Sequence, residues 1–264
     1  MLELKNVTKV FNPGTVNEKV ALKGINLTLE DGDFVTVIGG NGAGKSTVLN
    51  MIAGVYPVDD GSIEIDGIDI TKLPEHKRAK YIGRVFQDPM MGTAADMWVE
   101  ENLAIADRRG KKRGFKWAIT KKDKVKYKAA LAELDLGLDS RMTTKMGLLS
   151  GGQRQAITLL MATLIRPKLL LLDEHTAALD PKTAAKVLEI TDRLVKENNL
   201  TALMVTHNMK AAIAYGNRLI MMNAGQVILD VKGEEKKSLT IEALLEMFTK
   251  ASGAEFASDR ALLG

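Results

Sequence analysis

The stretch Val35-Thr36-Val37-Ile38-Gly39-Gly40-Asn41-Gly42-Ala43-Gly44-Lys45-Ser46-Thr47 constrains this chain more than any other. It reads as a buried strand, a glycine-rich turn and the start of a helix. Gly39, Gly44, Lys45 and Ser46 stand at the spacing G-x-x-x-x-G-K-[ST]. Glycines let backbone N–H groups curl around an anion with no Cβ in the way. A helix starting near Lys45 aims its positive dipole end at the same anion. Lys45 can then reach the β- and γ-phosphates of a nucleotide, and the Ser46 hydroxyl can ligate Mg2+. An ordinary glycine turn needs neither the strand before nor the helix after.

The 264 residues suffice for one large domain or two small ones. The absence of cysteine excludes disulfides, thiol catalysis and cysteine-bound clusters. No apolar run approaches the roughly 18 residues of a membrane span, and Met1 to Phe11 has no signal-peptide apolar block. The expectation is a protein in the cytosol or on its membrane face. A net charge of +4 is too small to argue for nucleic acid.

Leu2 to Val10 and Val20 to Leu29 read as strands around the turn Phe11-Asn12-Pro13-Gly14. Phe11, beside that turn, either stacks on a base or packs as a core aromatic at a strand end. A helix over Lys45 to Ala53 ends at Gly54. Gly61 to Ile65 and Ile68 to Ile70 are short antiparallel strands, and Tyr81 to Phe86 is a buried strand ending in Gln87-Asp88-Pro89. If that end lies beside the glycine loop, the Gln87 amide oxygen could bind Mg2+ or water. Trp98 to Ala106 reads as helical. Arg108 to Lys128 is strongly basic, with about eleven Lys or Arg against Asp123 alone. That run is a solvated helix pair or, on a sharper reading, a surface for anionic lipid headgroups. Phe115, Trp117 and Tyr127 give nucleic acid only weak support.

Leu149-Ser150-Gly151-Gly152-Gln153 opens a helix running to Ile165, with Ser150 as its cap and free N–H groups at Gly151 and Gly152 as a second anion site. Leu169 to Leu172, followed by Asp173-Glu174, is a buried strand ending in two carboxylates. In open parallel sheets ligands sit at that end of the strands. Asp173 can hold the Mg2+ shell and Glu174 can take a proton from an attacking water. Asp180-Pro181 starts a helix to Glu197. Leu200 to Thr206 is the next strand, and His207 at its end is structural or hydrogen-bonds a γ-phosphate. Arg218 to Met222 and Gln226 to Asp230 are strands around Ala224-Gly225. Ile241, Leu244, Leu245 and Phe248 form one apolar helix face, and the segment from Ser252 reads as a tail.

With these residues in place the chain resembles the ATP-binding subunits of ABC transporters over nearly its full length. Gly39 to Thr47 is similar to Walker A, and Leu169 to Glu174 to Walker B with its catalytic glutamate. Leu149 to Gln153 matches the LSGGQ signature, Gln87 sits at the Q-loop, and Ala178-Leu179-Asp180 resembles the D-loop. His207 in Val205-Thr206-His207-Asn208 resembles the switch histidine, and Phe11 falls at the adenine-stacking position. Any one motif is weak; all of them in order are very specific.

The resemblance implies an α/β fold of the P-loop NTPase type. A RecA-like core over residues 1–87 and 167–239 would carry an antiparallel β subdomain. An inserted α-helical subdomain would occupy 88–166, with a C-terminal helix and tail over 240–264, all in one ABC ATPase domain. It implies that ATP meets Phe11, Gly39, Gly40, Asn41, Gly42, Ala43, Gly44, Lys45, Ser46, Thr47, Gln87 and Asp173. Mg2+ would be held by Ser46, Gln87 and Asp173. Glu174, His207, Gln87 and Lys45 would carry catalysis. In a head-to-tail homodimer, Ser150, Gly151, Gly152, Gln153 and Asp180 would act across the interface. A groove near Gln87 to Ala94, with Met90 and Met91, would receive a helix of an integral membrane permease. That would hold the protein peripherally on the cytoplasmic face of the membrane, supplied indirectly by an extracytoplasmic solute-binding protein.

Departures from the family pattern are His175 in place of the usual Pro, Gly40 in place of Pro or Ser, and a partial basic run after Gln153. The combination Phe-Asn-Pro-Gly-Thr, Ile-Gly-Gly-Asn-Gly and Asp-Glu-His-Thr is similar to bacterial amino-acid-type importers, including tryptophan or tyrosine systems. The leading expectation is uptake of a small solute such as an amino acid. The alternatives are an export ATPase, or a soluble ABC ATPase acting as a clamp or scaffold. Clamps are expected to carry tandem cassettes or a long coiled coil, and this chain shows neither.

Overall fold

A computed structural model describes residues 1–111, 114 and 119–252. Phe115, Trp117, Lys112, Arg113 and Lys116 of the basic run, and the tail from residue 253, lie outside the described residues. Ten strands are present among those described: β1 (Leu2–Phe11), β2 (Lys19–Leu29), β3 (Phe34–Ile38), β4 (Asp60–Ile65), β5 (Ile68–Asp69), β6 (Ile82–Val85), β7 (Leu169–Asp173), β8 (Ala202–Val205), β9 (Arg218–Asn223) and β10 (Gln226–Lys232). They form two sheets. One is antiparallel, in the order β2-β1-β4-β5; the other runs β10-β9-β3-β8-β7-β6. The second sheet is parallel from β9 to β6, and only β10 runs against its neighbour.

Helices fill the connections: α1 (Lys45–Ala53), α2 (Glu75–Arg78), α3 (Val99–Ala106), α4 (Lys121–Ala132), α5 (Gly151–Thr163), α6 (Pro181–Glu197), α7 (Met209–Ala214), α8 (Gly233–Lys237) and α9 (Ile241–Ser252). Parallel strands cannot be joined by tight turns, so crossovers of this kind are obligatory. Between β6 and β7 the chain is helical among the described residues, with α3, α4 and α5 in sequence. The architecture is the α/β fold with an antiparallel sheet and a helical insertion that the resemblance implied.

The apolar run of β7 is explained by burial on both faces. Leu169 and Leu171 enter the core between the two sheets, where α1 also packs. Leu170 and Leu172 enter the opposite core, shared with α3, α4, α5 and α6. Strand β8 divides its residues the same way, with Leu203 and Val205 on one side and Ala202 and Met204 on the other. Side chains alternate across a strand, so a strand sandwiched between layers must be apolar at every position. A third cluster packs α7 and α9 on β9 through Met209, Leu219, Leu244 and Phe248. The apolar face expected near the C-terminus therefore packs on the protein's own body.

Arg78, which sequence reasoning passed over, is 2% exposed. Its guanidinium donates to Met51 O (2.6 Å), Ile52 O (2.9 Å), Leu73 O (2.7 Å) and Thr71 O (2.8 Å). Two of these carbonyls are in the last turn of α1, where unpaired acceptors and the negative dipole end favour a cation. Gly54 at that end has φ 88°, and a Cβ there would lie 2.8 Å from Arg78 Nε. In the basic run, Lys111 and Lys126 pair with Asp107 at 3.1 and 2.8 Å, and Lys124 pairs with Glu100 at 2.8 Å. That part of the run is tied to α3.

Candidate active site

The register of the parallel sheet builds the site. Val205 stands opposite Val37 of β3 on one side and opposite Asp173 of β7 on the other. The segments that follow these strands therefore leave the sheet along one edge at one level. They bring the glycine loop, Glu174 and His207 together. Backbone bonds lock the row: Glu174 N–H donates to Val205 O (3.0 Å), and Thr206 N–H donates to Val37 O (3.1 Å).

A cleft of about 210 Å3 opens there, lined by Phe11, Lys19, Ala21, residues 41–47 and Glu174. Its floor needs glycine at two points. Gly39 has φ 152°, and a Cβ on it would stand 2.2 Å from Met222 O. Gly44 has φ 102°, and its Cβ would meet Leu22 at 2.8 Å. Ser46 is exposed to the cleft, whereas Lys45 is buried. The Lys45 ammonium donates to Gly39 O (2.7 Å) and Gly40 O (3.2 Å). Burial pushes the Lys45 pKa down, opposed by the nearby carboxylates of Glu174 and Asp173. Both carboxylates thus act on the same cation at the base of the loop.

Phe11 lines the cleft as a partly buried ring whose edge meets Tyr56, with centroids 5.2 Å apart and planes at 83°. Asp173 is held 3.7 Å from Arg84, and the Arg84 guanidinium also donates to Asn50 Oδ1 of α1 at 2.6 Å. Burial raises the Asp173 pKa and the neighbouring Arg84 opposes that rise. Neither Arg84 nor Asn50 was found from sequence, because the β6–β7 pairing brings Arg84 to the carboxylate and the packing of α1 brings Asn50 to Arg84. Glu174 has φ 42°, a left-handed conformation that costs a side-chain-bearing residue about 1–2 kcal/mol. This turn aims its carboxylate toward His207, with Nδ1 to Oε2 at 3.5 Å.

His175, which stands where the family usually has Pro, is 2% exposed. Its Nε2 lies 3.1 Å from Thr191 Oγ1. The Thr191 hydroxyl donates to Val187 O (2.8 Å), so Oγ1 accepts and His175 Nε2 carries the hydrogen. Burial lowers the His175 pKa to about 4. The side chain is a neutral tether between the Glu174 turn and α6.

The remaining site residues lie apart from the cleft. Gln87 is exposed beyond the end of β6 and is not among the lining residues. Ser150 caps α5 in a reciprocal pair, in which Gln153 N–H donates to Ser150 Oγ and Ser150 N–H to Gln153 Oε1, both at 3.3 Å. Gly151 beside it is exposed, whereas Gly152 is buried. A Cβ on Gly152 would lie 2.0 Å from Thr183 Cγ2 of α6, so glycine is required there for helix packing. Asp180 caps α6, accepting from Thr183 N–H at 3.1 Å, and hydrogen bonds from the Thr183 side chain and then its N–H hold the Asp180 carboxyl below the usual range. None of these residues lines the glycine-loop cleft of their own chain.

The residues fit a nucleotide with a divalent cation. The glycine loop and the start of α1 carry N–H donors, and Ser46, which lines the cleft, and Asp173, which stands behind it against Arg84, carry hard oxygens of the kind that would hold Mg2+ alongside phosphates. Among the described residues there is no cluster of three His, Cys, Asp or Glu side chains able to hold a metal alone.

Residues 22–177 match a family model described as ABC transporter. The tyrosine transport ATP-binding protein of Clostridioides difficile is 47% identical over 95% of this chain and 100% of its own length. The methionine import ATP-binding protein MetN of Corynebacterium efficiens is 35% identical over 86% of this chain and 61% of its own length. Among solved structures, an ATP-binding cassette described as a dimer in a post-hydrolysis state bound to ADP and Pi has a TM-score of 0.75 and 30% identity, covering 88% of this chain and 98% of that one. Fold, cleft and relatives agree: the chain belongs to the ABC transporter family, as one of its ATP-binding, ATP-hydrolysing subunits.

Proposed function

We propose that two copies of this chain close head to tail around ATP and that the cycle of closure and hydrolysis powers amino-acid uptake, with tyrosine the first solute to test. The supporting observation is the division of the site. Lys45, Ser46 and Glu174 sit at one cleft, while Ser150 and Gly151 begin a second, outward-facing helix start that no residue of their own cleft meets. A partner's Ser150 and Gly151 would complete the γ-phosphate shell and exclude water.

Within that site Glu174 takes the proton of the attacking water, and His207 holds its carboxylate in line. The loop N–H groups and Lys45 bind the phosphates, with Lys45 exchanging its carbonyl partners for them. Phe11 offers its ring to the adenine. Ser46, Asp173 and Gln87 would hold Mg2+, which would supply positive charge to offset that of the phosphates. Residues 1–87 and 167–239 act as the nucleotide-binding core, 88–166 as the helical subdomain and 240–264 as a C-terminal appendage.

Among the described residues no helix is long and apolar enough to cross a membrane. We assign the translocation path to a separate integral membrane permease, supplied outside by a solute-binding protein, on the strength of the import relatives. Met91, 71% exposed, and Leu148, 76% exposed, give the adaptable apolar surface such a docking needs. Docking would place the chain on the cytoplasmic face of the membrane. The solute assignment rests on the tyrosine transport relative.

The test is Glu174→Gln. It is expected to bind ATP, lose nearly all turnover and accumulate as an ATP-dependent dimer on a sizing column. Retention of most of the ATPase activity would remove Glu174 as the base. Tyrosine uptake by proteoliposomes carrying the co-purified permease tests the solute.

A further inference from the structure

We infer that Lys19 is a second phosphate-binding cation, seated on the outer lip of the nucleotide cleft opposite Lys45. Lys19 is the first residue of β2 and pairs directly with Phe11 of β1. It lines the cleft, and its Nζ lies 3.6 Å from the point where a Cβ on Gly42 would stand. The ammonium therefore hangs over the crest of the glycine loop, on the direct cross-strand partner of the residue whose ring is offered to adenine. A nucleotide stacked on Phe11 with its phosphates in the loop must run its phosphate chain past this point.

The local chemistry leaves Lys19 available. Its sequence neighbour Glu18 accepts from Gly14 N–H at 2.6 Å and is occupied in bracing the β1–β2 turn. Among the described residues no carboxylate lies within ion-pair distance of Lys19. Lys45, by contrast, is buried beneath the loop on the carbonyls of Gly39 and Gly40. The two cations approach a polyphosphate from opposite sides of one backbone cradle. Burial gives Lys45 strength and geometry. Exposure makes Lys19 a screened contact, which selects for the charge of the phosphate chain and contributes less.

This proposal rests on the ATP site described above, and the experiment separates the two. ATP, ADP and adenosine are titrated calorimetrically into full-length wild type and the variants Lys19→Arg, Lys19→Met and Lys19→Glu. Salt is set at about 25 mM and about 500 mM, on either side of effective screening. At low salt Lys19→Arg is expected near wild type and Lys19→Met about three- to tenfold weaker for ATP. Lys19→Glu is expected to be weaker again. The differences should shrink at high salt, and adenosine affinity should be equal throughout. Methionine keeps the stem beside Phe11, so an order set by charge cannot come from lost packing. Wild-type ATP affinity in Lys19→Met and Lys19→Glu at low salt would overturn the inference. So would a proportional loss of adenosine binding, which would place the contact at the base or sugar. Lys45→Ala is run in parallel: if it loses ATP binding while the Lys19 variants do not, only the Lys19 assignment fails.

Discussion

Arg78→Met should be the most damaging single change away from the nucleotide cleft. The side chain is fully enclosed, and its four acceptors are all backbone carbonyls, two of them in the last turn of α1. Hydrogen bonds from a charged donor contribute roughly 1.5–3 kcal/mol each, so four would sum to about 6–12 kcal/mol. Burying a guanidinium removes several kcal/mol of that gain. Methionine fills much of the volume without the desolvation cost, but it leaves the carbonyls without their donor. Met51 O keeps a second donor, Gly54 N–H at 3.1 Å, so its loss is partial. The balance is a destabilisation of about 3–5 kcal/mol, the range for stripping one partner from a buried charged network. For a chain of this size about 2–4 °C accompanies each kcal/mol, giving a fall in Tm on the order of 10 °C. Arg78→Lys keeps the charge but cannot fan out to four acceptors and should fall between. Urea titration and thermal melting of the three proteins measure this. A Tm for Arg78→Met within about 2 °C of wild type would refute the clamp, and so would equal losses in the lysine and methionine variants.

Further outcomes follow from the packing and titration of the site. Gly152→Ala should lower stability by about 1–3 kcal/mol, the usual cost of overpacking, because its Cβ would overlap Thr183; a second change, Thr183→Ser, should recover part of the loss in a double-mutant cycle. His175 has an ordinary pKa near 6.5 when unfolded and about 4 when folded. Between those values the unfolded chain binds the extra proton, so stability is full above about pH 6.5 and falls as pH drops toward 4. At roughly 1.4 kcal/mol per unit the loss is on the order of 3 kcal/mol; pH-dependent denaturation of His175→Gln should show a shallower fall, and an unchanged slope would contradict the buried neutral tether. Ser150→Arg should leave ATP binding to the isolated chain intact but obstruct ATP-dependent dimerisation on a sizing column, with a normal dimer contradicting the cross-subunit site.

The order of motifs was legible because their chemistry is local. A backbone anion cradle requires glycines followed directly by Lys45 and Ser46, and a strand buried on both faces announces itself as Leu169 to Leu172 before Asp173 and Glu174. Capping is equally local, so Ser150 and Asp180 could be placed as helix starts from their neighbours alone. The resemblance supplied roles that spacing could not, including Phe11 and Gln87. Glu174 itself was visible, but its left-handed backbone and its approach to His207 were not, because both depend on how β7 and β8 pair.

What sequence alone determined is therefore the identity of the groups that handle phosphate, since each is specified within a few covalently linked residues. Tertiary structure decided which groups face one another. It set Arg78 under the far end of α1, Arg84 against Asp173, and His175 against Thr191, and it made Gly152 a packing glycine as well as a helix-start residue. The physical reason is range. Helix dipoles, caps and glycine conformations act over neighbouring peptide units, whereas desolvation and charge pairing act between surfaces that meet only after the strands have found their register.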